Sequence, residues 1–407
     1  MFDSEGRVRL SSERERARVL FTGDLCPIHR VEEMLVAGDI DGVFGDARGL
    51  FRCADLAVVN LEAPLCSRET PIEKLGPNFR SDPAVAGALA AGPVGVACLA
   101  NNHIFDQGPE GLSATIAALD AAGLAHVGAG PDQHRAAGPL VRELGGVHLA
   151  LLNFATVEGA IPREGPGGAR IDHLLVRRAV AEAAAGGTAV VPVLHTGKEQ
   201  VSFPSPLVQR LCRELIEAGA AAVICHHPHV PQGIEIYRDC PIAYSLGNFL
   251  FDWPDPEPET DSSFLLELEL GGNGVCGLGV HPFRKSATGG VELLAGEERA
   301  AYLGFVGDLS APLGRPEDLR PLWREQCRRL LDSWYARRLA RGANIVSDRP
   351  EERRRAALTF INFLENNEHG AVLEEALVAV ATGRDAPDEA AGRKLDELEA
   401  RLKGFAR

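Results

Sequence analysis

The stretch Ala222-Val-Ile-Cys-His-His-Pro-His-Val230 places three histidines within four positions, directly after an apolar run. Val223 and Ile224 favour a buried strand, and Pro228 cannot continue one. Ligands of α/β sheets gather beyond the carboxyl ends of the strands, and imidazole is a common metal ligand. The stretch alone is equally compatible with a solvated histidine turn, so its interpretation depends on how the other strands of the chain end.

Four further predicted strands end in polar side chains that can also bind metals. In chain order these are Asp24 after 17–22, Asn60 and Glu62 at the end of 56–60, Asn102 and His103 after 94–100, and His195 after 188–194. Taken singly, Asp24 is typical of a surface turn, and Asn60 with Glu62 is typical of a turn cap. Five strand ends of this kind along one chain favour a shared site at one edge of an α/β core.

The donors at these strand ends are carboxylate and amide oxygens together with imidazole nitrogens. Such a mixed set suits Mn, Fe, Zn or Mg better than ions that prefer thiolates. A carboxylate such as Glu62 can bridge two ions about 3.5–4 Å apart, a geometry that activates water and promotes displacement at phosphorus. The sequence therefore predicts one or two divalent cations. A structural zinc site is a poor alternative, because such sites are closed and usually rich in thiolate.

The composition of the 407-residue chain is that of an ordinary globular protein, with room for one large and one small domain. Its net charge of −15, from 42 basic and 57 acidic residues, argues against a nucleic-acid-binding surface. No apolar run of about 18 residues occurs, so we expect no membrane span and a cytoplasmic location. Nine scattered cysteines without Cys-x-x-Cys spacing predict reduced thiols.

Strand and helix patterns alternate through most of the chain, and from about residue 316 only helical spacing of Arg, Glu, Leu and Ala remains. We therefore expect a main domain at 15–290 and a mainly helical C-terminal extension at 291–407. The apolar stripe of the extension would pack on the main domain or join copies into a homo-oligomer. The Gly- and Pro-rich segment 161–170 and the acidic, Pro-rich segment 252–261 predict loops.

Six motifs, in their order along the chain, resemble those of the CapA family, which is named for poly-γ-glutamate capsule synthesis. They are Gly23-Asp24, Asn60-Leu-Glu62, Ala100-Asn-Asn-His103 with Asp106 and Gly108, His195-x-Gly197-x-Glu199, His226-His-Pro-His-Val230 and Tyr244-Ser-Leu-Gly-Asn-Phe249. The resemblance covers residues 17–252. It implies the calcineurin-like metallophosphoesterase fold, an α/β fold in which two mixed β-sheets form a sandwich flanked by helices, here followed by the C-terminal helical extension.

The resemblance also implies a role for each matching residue. The ligands implied for the two ions are Asp24 with His229 for one and Asn102 with His195 and His227 for the other, bridged by Glu62. His103 would lie outside the ligand sphere as a general acid or transition-state stabiliser, a role that suits a group titrating near neutrality. The residues expected to contact the substrate or to support the ligands are Asn60, Asp106, Glu199, His226 and Asn248.

One position departs from the wider phosphoesterase pattern, whose first motif is Asp-x-His. Cys26 stands where that histidine would be. Its sulfur could act as a ligand, or the first ion could lack a protein ligand at this position. The second alternative is favoured, because a Gly-Asp motif without the histidine is ordinary for CapA proteins. Lys198 and Arg80 could contact the substrate or form surface ion pairs.

Two functions remain open from the sequence. The first is a metal-dependent hydrolase in which metal-activated water attacks a phosphoester or a γ-glutamyl, amide-type bond of a small-molecule or peptide substrate. The second is a non-catalytic accessory protein of poly-γ-glutamate or related peptide biosynthesis, which binds an anionic polymer or a ligase partner. Two-metal chemistry supports several electrophiles, so the sequence does not identify the bond that is cleaved.

Overall fold

A computed structural model describes residues 2–92, 94–156, 162, 164–253, 258–272 and 274–406. Parts of the two predicted loops, 161–170 and 252–261, lie outside the described residues. The strands are β1 (Arg7–Arg9), β2 (Ala17–Cys26), β3 (Leu56–Leu61), β4 (Val96–Cys98), β5 (Ala125–Val127), β6 (Ala129–Gly130), β7 (Leu140–Leu144), β8 (Val147–Ala155), β9 (Gly167–Gly168), β10 (Ala189–His195), β11 (Val223–His226), β12 (Ile234–Tyr237), β13 (Cys240–Ala243), β14 (Asn248–Phe251), β15 (Ser262–Gly271), β16 (Gly274–Lys285) and β17 (Val291–Leu293).

The helices alternate with strands in the first part of the chain and follow one another without strands at its end. They are α1 (His29–Val36), α2 (Ile40–Phe44), α3 (Arg48–Cys53), α4 (Ala84–Ala91), α5 (Gly108–Ala122), α6 (Gln133–Ala136), α7 (His173–Ala184), α8 (Pro206–Glu217), α9 (Gly296–Ser310), α10 (Pro316–Leu330), α11 (Ala336–Gly342), α12 (Pro350–Glu365), α13 (Asn367–Ala381) and α14 (Glu389–Phe405). Every helix within the described ranges is too short or too polar to span a lipid bilayer.

Two mixed sheets form the centre of the molecule. The larger sheet has the order β1-β16-β15-β2-β3-β4-β5, with β14 beside β2 and β17 beside β16, and the smaller has the order β12-β13-β11-β10-β8-β7. Strands β2, β3 and β4 are mutually parallel, as are β8, β10 and β11 in the other sheet. The carboxyl ends of each parallel set therefore lie at one edge of its sheet.

A hydrophobic core fills the space between the two sheets, and a second core lies beneath helices α1, α3, α4 and α5. In β2, Val19 and Phe21 belong to the first core, whereas Leu20 belongs to the second. This alternation follows because successive residues of a strand point to opposite faces of the sheet. Helices α7 and α8 pack on the smaller sheet. The predicted sandwich of two mixed sheets flanked by helices is confirmed.

The C-terminal helices form two packing groups. Helices α9 and α14 contribute Tyr302, Leu309 and Leu398 to the core between the sheets. A separate small core includes Tyr335 and Phe363, where α10, α12, α13 and the turn before α11 meet. The predicted helical extension is therefore present, and part of it packs on the main domain. The boundary between the two regions and the homo-oligomer stay predictions.

Strand β2 is longer than the sequence pattern indicates. It continues through Asp24 to Cys26, where both β3 and β14, a strand that the pattern did not predict, pair parallel to its end. A side chain at Gly23 would collide with the carbonyl oxygen of Gly247, so glycine is needed for this close approach. Helix α9 lies within the predicted range of the extension, 291–407, although the helical spacing becomes clear only at about residue 316.

Candidate metal centre

Strand ends from both sheets bring the predicted ligands together. Asp24 in β2 and Glu62 after β3 come from the larger sheet. His195 at the end of β10, together with His227 and His229 after β11, comes from the smaller sheet. All of these side chains are buried except that of His229, which is 18% exposed. The site therefore forms where the carboxyl edges of the two sheets meet.

One group of donors contains Glu62, His195 and His227, whose ligand atoms all lie within 4.8 Å of one another. His195 Nε2 lies 3.4 Å from Glu62 Oε1 and 3.1 Å from His227 Nδ1. The same nitrogen lies 2.9 Å from Asn102 Oδ1, which adds an amide oxygen. The structure thus brings together the residues that the resemblance assigns to one ion, along with the bridging carboxylate.

A second group contains Asp24, Glu62 and His229, again with ligand atoms within 4.8 Å of one another. His229 Nδ1 lies 3.3 Å from Asp24 Oδ2, and His229 Nε2 lies 3.8 Å from Glu62 Oε1. Glu62 belongs to both groups, which is the position expected of a bridging carboxylate. Nitrogen and oxygen donors in both groups fit divalent cations such as Mn, Fe, Zn or Mg.

Burial and neighbouring charges determine how these groups titrate. Burial lowers the pKa of His195 well below its usual range, so its ring is neutral, as metal binding requires. Burial opposes ionisation of Asp24, but His226 and His229 hold the pKa of that carboxyl well below its usual range. Burial would lower the pKa of His229, but Glu62 and Asp24 outweigh it and raise that pKa to about 10, so a cation that binds this ring must displace a proton from it.

Three of the predicted supporting residues contact the donors directly. Asn60 Nδ2 donates a hydrogen bond of 2.8 Å to Asp24 Oδ1. His226 Nδ1 lies 3.1 Å from the same oxygen. Asn248 Oδ1 accepts from His229 Nδ1 at 3.0 Å. Contacts of this kind fix the orientation of ligating side chains.

The histidine turn has an unusual backbone. His227 and His229 have φ angles of 99° and 59°, in a region that residues other than glycine rarely adopt. Each such residue costs about 1–3 kcal/mol and persists only where the surrounding structure imposes it. Both rings nevertheless reach the donor groups from either side of Pro228. His227 belongs to the first group and His229 to the second.

His103 lines a cleft of about 990 Å³ that also contains Asn102 and His229. Its Nδ1 lies 2.7 Å from Asp106 Oδ2, and Lys74 Nζ lies 3.2 Å from the same nitrogen. A carboxylate can only accept, so Nδ1 donates to Asp106 and Nε2 is left to accept. Burial and the charge of Lys74 lower the pKa of His103 to about 4, and the ring is neutral at pH 7.

Cys26 lies outside both donor groups. Its side chain packs with Ile28 and Phe79, and burial raises the pKa of its thiol well above the usual range. Among the described residues it shares no cluster of three metal-binding side chains. This arrangement favours the alternative in which the first ion has no protein ligand at this position. Arg80 forms an ion pair with Glu69 at 3.5 Å, as the surface alternative supposed.

The cleft wall combines residues that the sequence suggested with residues that it did not. Lys198 and Glu199 form an ion pair on the wall, the second of the two alternatives for Lys198, although this lysine is buried. Lys74, Trp334 and Arg338 also line the cleft but were not singled out. Lys74 lies between two motifs, and the other two lie beyond the region of resemblance. The sequence feature that could have pointed to Trp334 and Arg338 is the aromatic and arginine-rich segment of the extension.

Comparison with known proteins agrees with the motifs. The family described as "Bacterial capsule synthesis protein PGA_cap" matches residues 18–253. The capsule biosynthesis protein CapA of Bacillus anthracis is 33% identical over 282 residues, which cover 66% of this chain and 68% of that protein. The PGA biosynthesis protein CapA of Bacillus subtilis is 30% identical over 261 residues, which cover 62% and 68%. A probable polyglutamine synthesis accessory protein of Mycobacterium tuberculosis is 31% identical over 214 residues, which cover 49% and 56%.

The matched region runs from β2 to just beyond β14 and contains every residue of the two donor groups. It excludes the C-terminal extension, although the extension lines the same cleft. The family is metallophosphoesterase-like, in agreement with the two-sheet architecture and the predicted resemblance. This chain belongs to the bacterial capsule synthesis protein PGA_cap family.

Proposed function

We propose that the protein is a metal-dependent hydrolase that cleaves a phosphoester or a γ-glutamyl, amide-type bond. The observation that supports this function is the membership of Glu62 in both donor groups. Divalent cations held in such paired groups lower the pKa of water and stabilise the negative charge that develops during a displacement. Two adjacent donor groups that an open cleft reaches suit this chemistry better than a structural role, because structural sites are closed.

The proposal gives each residue near the cleft a distinct task. The ligands would be Asp24, Glu62 and His229 for one cation, and Glu62, Asn102, His195 and His227 for the other. His103 would accept a proton at Nε2 during the reaction, because its neutral ring lines the cleft and Asp106 fixes its orientation. Its low pKa does not fit the general-acid role that the resemblance implied. Asn60 and His226 would hold Asp24 in place.

Metal loading tests this proposal. The protein would be stripped with a chelator, reloaded with Mn, Fe or Zn ions, and analysed for metal content. Hydrolysis would be followed on phosphomonoesters, phosphodiesters and γ-glutamyl peptides. We expect one or two ions per chain and activity only after reloading. A wild-type protein that takes up no metal would contradict the proposal.

A pair of matched variants separates the role of Glu62 from a general effect of removing a buried carboxylate. Glu62→Gln keeps the shape of the side chain but removes the charge that both donor groups share, so metal content and activity should both be lost. Glu269→Gln removes a buried carboxylate in β15 that pairs with Arg7, and both readouts should persist. Circular dichroism would verify that each variant is folded.

A second function is favoured by the name of the Mycobacterium tuberculosis relative, a probable synthesis accessory protein. In this role the chain would bind an anionic polymer or a ligase partner in poly-γ-glutamate or related peptide biosynthesis. A pull-down that recovers a ligase, together with full polymer synthesis by a Glu62→Gln strain, would support the accessory role. The same pair of results would make the hydrolase proposal wrong.

A further inference from the structure

The C-terminal extension forms one wall of the cleft that reaches the candidate metal centre at Asn102 and His229. Eleven of the 26 described residues that line the cleft belong to this extension. The family match ends at residue 253, so none of the shared motifs accounts for this wall. Three of the lining residues are arginines, Arg338, Arg341 and Arg355, which we call the arginine wall.

Helix packing holds the arginine wall together. Arg338 and Arg341 are three residues apart on α11 and therefore lie on the same face of that helix. Gly342 is the last residue of α11 and lies against α12. A Cβ atom added to this glycine would lie 2.6 Å from the ring of Phe360 in α12. Glycine thus permits the close approach of the two helices that places Arg355 in the same cleft.

Basic side chains outnumber acidic ones on the cleft wall, where Glu199 and Glu352 are the carboxylates among the described lining residues. Within the described ranges, Arg338, Arg341 and Arg355 form no ion pair, whereas the adjacent Arg354 pairs with Glu73 across the rim of the cleft. Burial and the nearby charge of Arg341 lower the pKa of Arg338. A local excess of positive charge in a chain of net charge −15 is the feature expected of an anion-binding surface.

Trp334 connects the arginine wall to the metal centre. The guanidinium carbon of Arg338 lies 3.5 Å from the centre of its ring, and Lys198 Nζ lies 5.0 Å from the same centre. Lys198 belongs to the loop that follows His195 at the end of β10. Positive charge therefore extends over one aromatic surface, from the edge of the donor groups to α11.

We propose that the arginine wall binds a second anionic group of the ligand, a carboxylate or a phosphate, beside the metal centre. The assignment of the reacting bond rests on the proposed function, but the binding itself does not. Arginine recognises both anions through paired hydrogen bonds from its planar fork. The ligand class is therefore a molecule with repeated negative charges, of which a short chain of γ-linked glutamates is one example.

The test measures binding without turnover. Calorimetry would follow binding of penta-γ-glutamate and, separately, of tripolyphosphate to the chelator-stripped full chain. The Arg341→Ala/Arg355→Ala double variant should weaken binding of the preferred probe at least about tenfold. Both side chains are exposed, so the variant should fold. The Arg337→Ala/Arg353→Ala variant removes two exposed arginines of the same helices that do not line the cleft, and its affinity should equal that of the wild type.

The probe that binds more tightly, with affinity that depends on the arginine wall, identifies the anion as carboxylate or phosphate. Equal affinities for the wild type and both double variants would overturn the inference, as would a wild-type protein that binds neither probe. Because stripped protein is used, this result does not depend on hydrolysis. The metal-loading assay can therefore fail while the arginine wall still binds the probe, and the reverse also holds.

Discussion

His195 Nε2 lies 3.4 Å from Glu62 Oε1, although the imidazole belongs to β10 of the smaller sheet and the carboxylate follows β3 of the larger sheet. The core between the two sheets is what brings these atoms together. Neither sheet alone supplies a complete donor group, because each of the two groups takes ligands from both sheets. Folding of the sandwich and assembly of the two donor groups are therefore coupled.

Asn60→Ala should weaken metal binding, because Asn60 Nδ2 donates to Asp24 Oδ1 at 2.8 Å and lies 3.2 Å from His195 Nδ1. Loss of a residue that orients ligands typically costs 10–100-fold in affinity. Competition with a chromophoric chelator would measure this loss. Asn78→Ala, which removes an exposed amide bonded to Ile72, serves as the control and should leave the affinity unchanged.

Cys26→Ala should leave the metal content unchanged, because the thiol packs in an apolar cluster and belongs to neither donor group. Loss of the buried sulfur should lower the free energy of unfolding by about 1 kcal/mol. Elemental analysis and urea unfolding would measure the two effects separately. A fall in metal affinity as large as that expected for Asn60→Ala would instead identify the sulfur as a ligand.

Gly23→Ala should destabilise the protein and disturb the metal centre together. The added methyl group collides with the Gly247 carbonyl, so β14 must move away from β2 beside Asp24. We expect a loss of about 1–3 kcal/mol in the free energy of unfolding, along with weaker metal binding. Gly87→Ala in α4 meets open space and should raise stability by about 0.5–1 kcal/mol. A Gly23→Ala protein with unchanged metal affinity would contradict this account.

Glu325→Gln should reduce stability in a pH-dependent way. Hydrogen bonding to Arg328 outweighs burial and, together with Arg329, lowers the pKa of Glu325 to about 2. Because this value is below the unfolded pKa of about 4.5, the stabilisation is complete above pH 4.5 and is lost as the pH falls towards 2. The variant should therefore be about 2–3 kcal/mol less stable at pH 7, with the difference closing near pH 2. Urea unfolding across this range would measure it, and a difference that stays constant with pH would show that ionisation is not its cause.

The positions of the donors were predictable because each follows an apolar strand pattern. Asp24, Glu62, His195 and the histidine turn all stand at such ends, and parallel strands bring their ends to one edge. The grouping of the donors into two sets came from the resemblance rather than from the pattern, because spacing along the chain does not tell which loops face each other.

Other features could not be read from local sequence. The pairing of β14 with β2 joins segments that are far apart in the chain, and only the close approach at Gly23 reveals it. Lys74 lies in a loop without periodicity, and its contact with His103 depends on how that loop folds over the site. Trp334 and Arg338 reach the cleft because of the way the extension packs on the rest of the chain. Helical spacing alone does not predict that packing.

The donor atoms and the arginines of the cleft wall come from different parts of the chain. Every donor atom comes from the first 229 residues, whereas the arginines that face the same space come from α11 and α12. Exchange of these two helices would leave the donor atoms in place. Changes in the C-terminal segment would therefore alter which ligands the cleft accepts while the donor atoms stay the same.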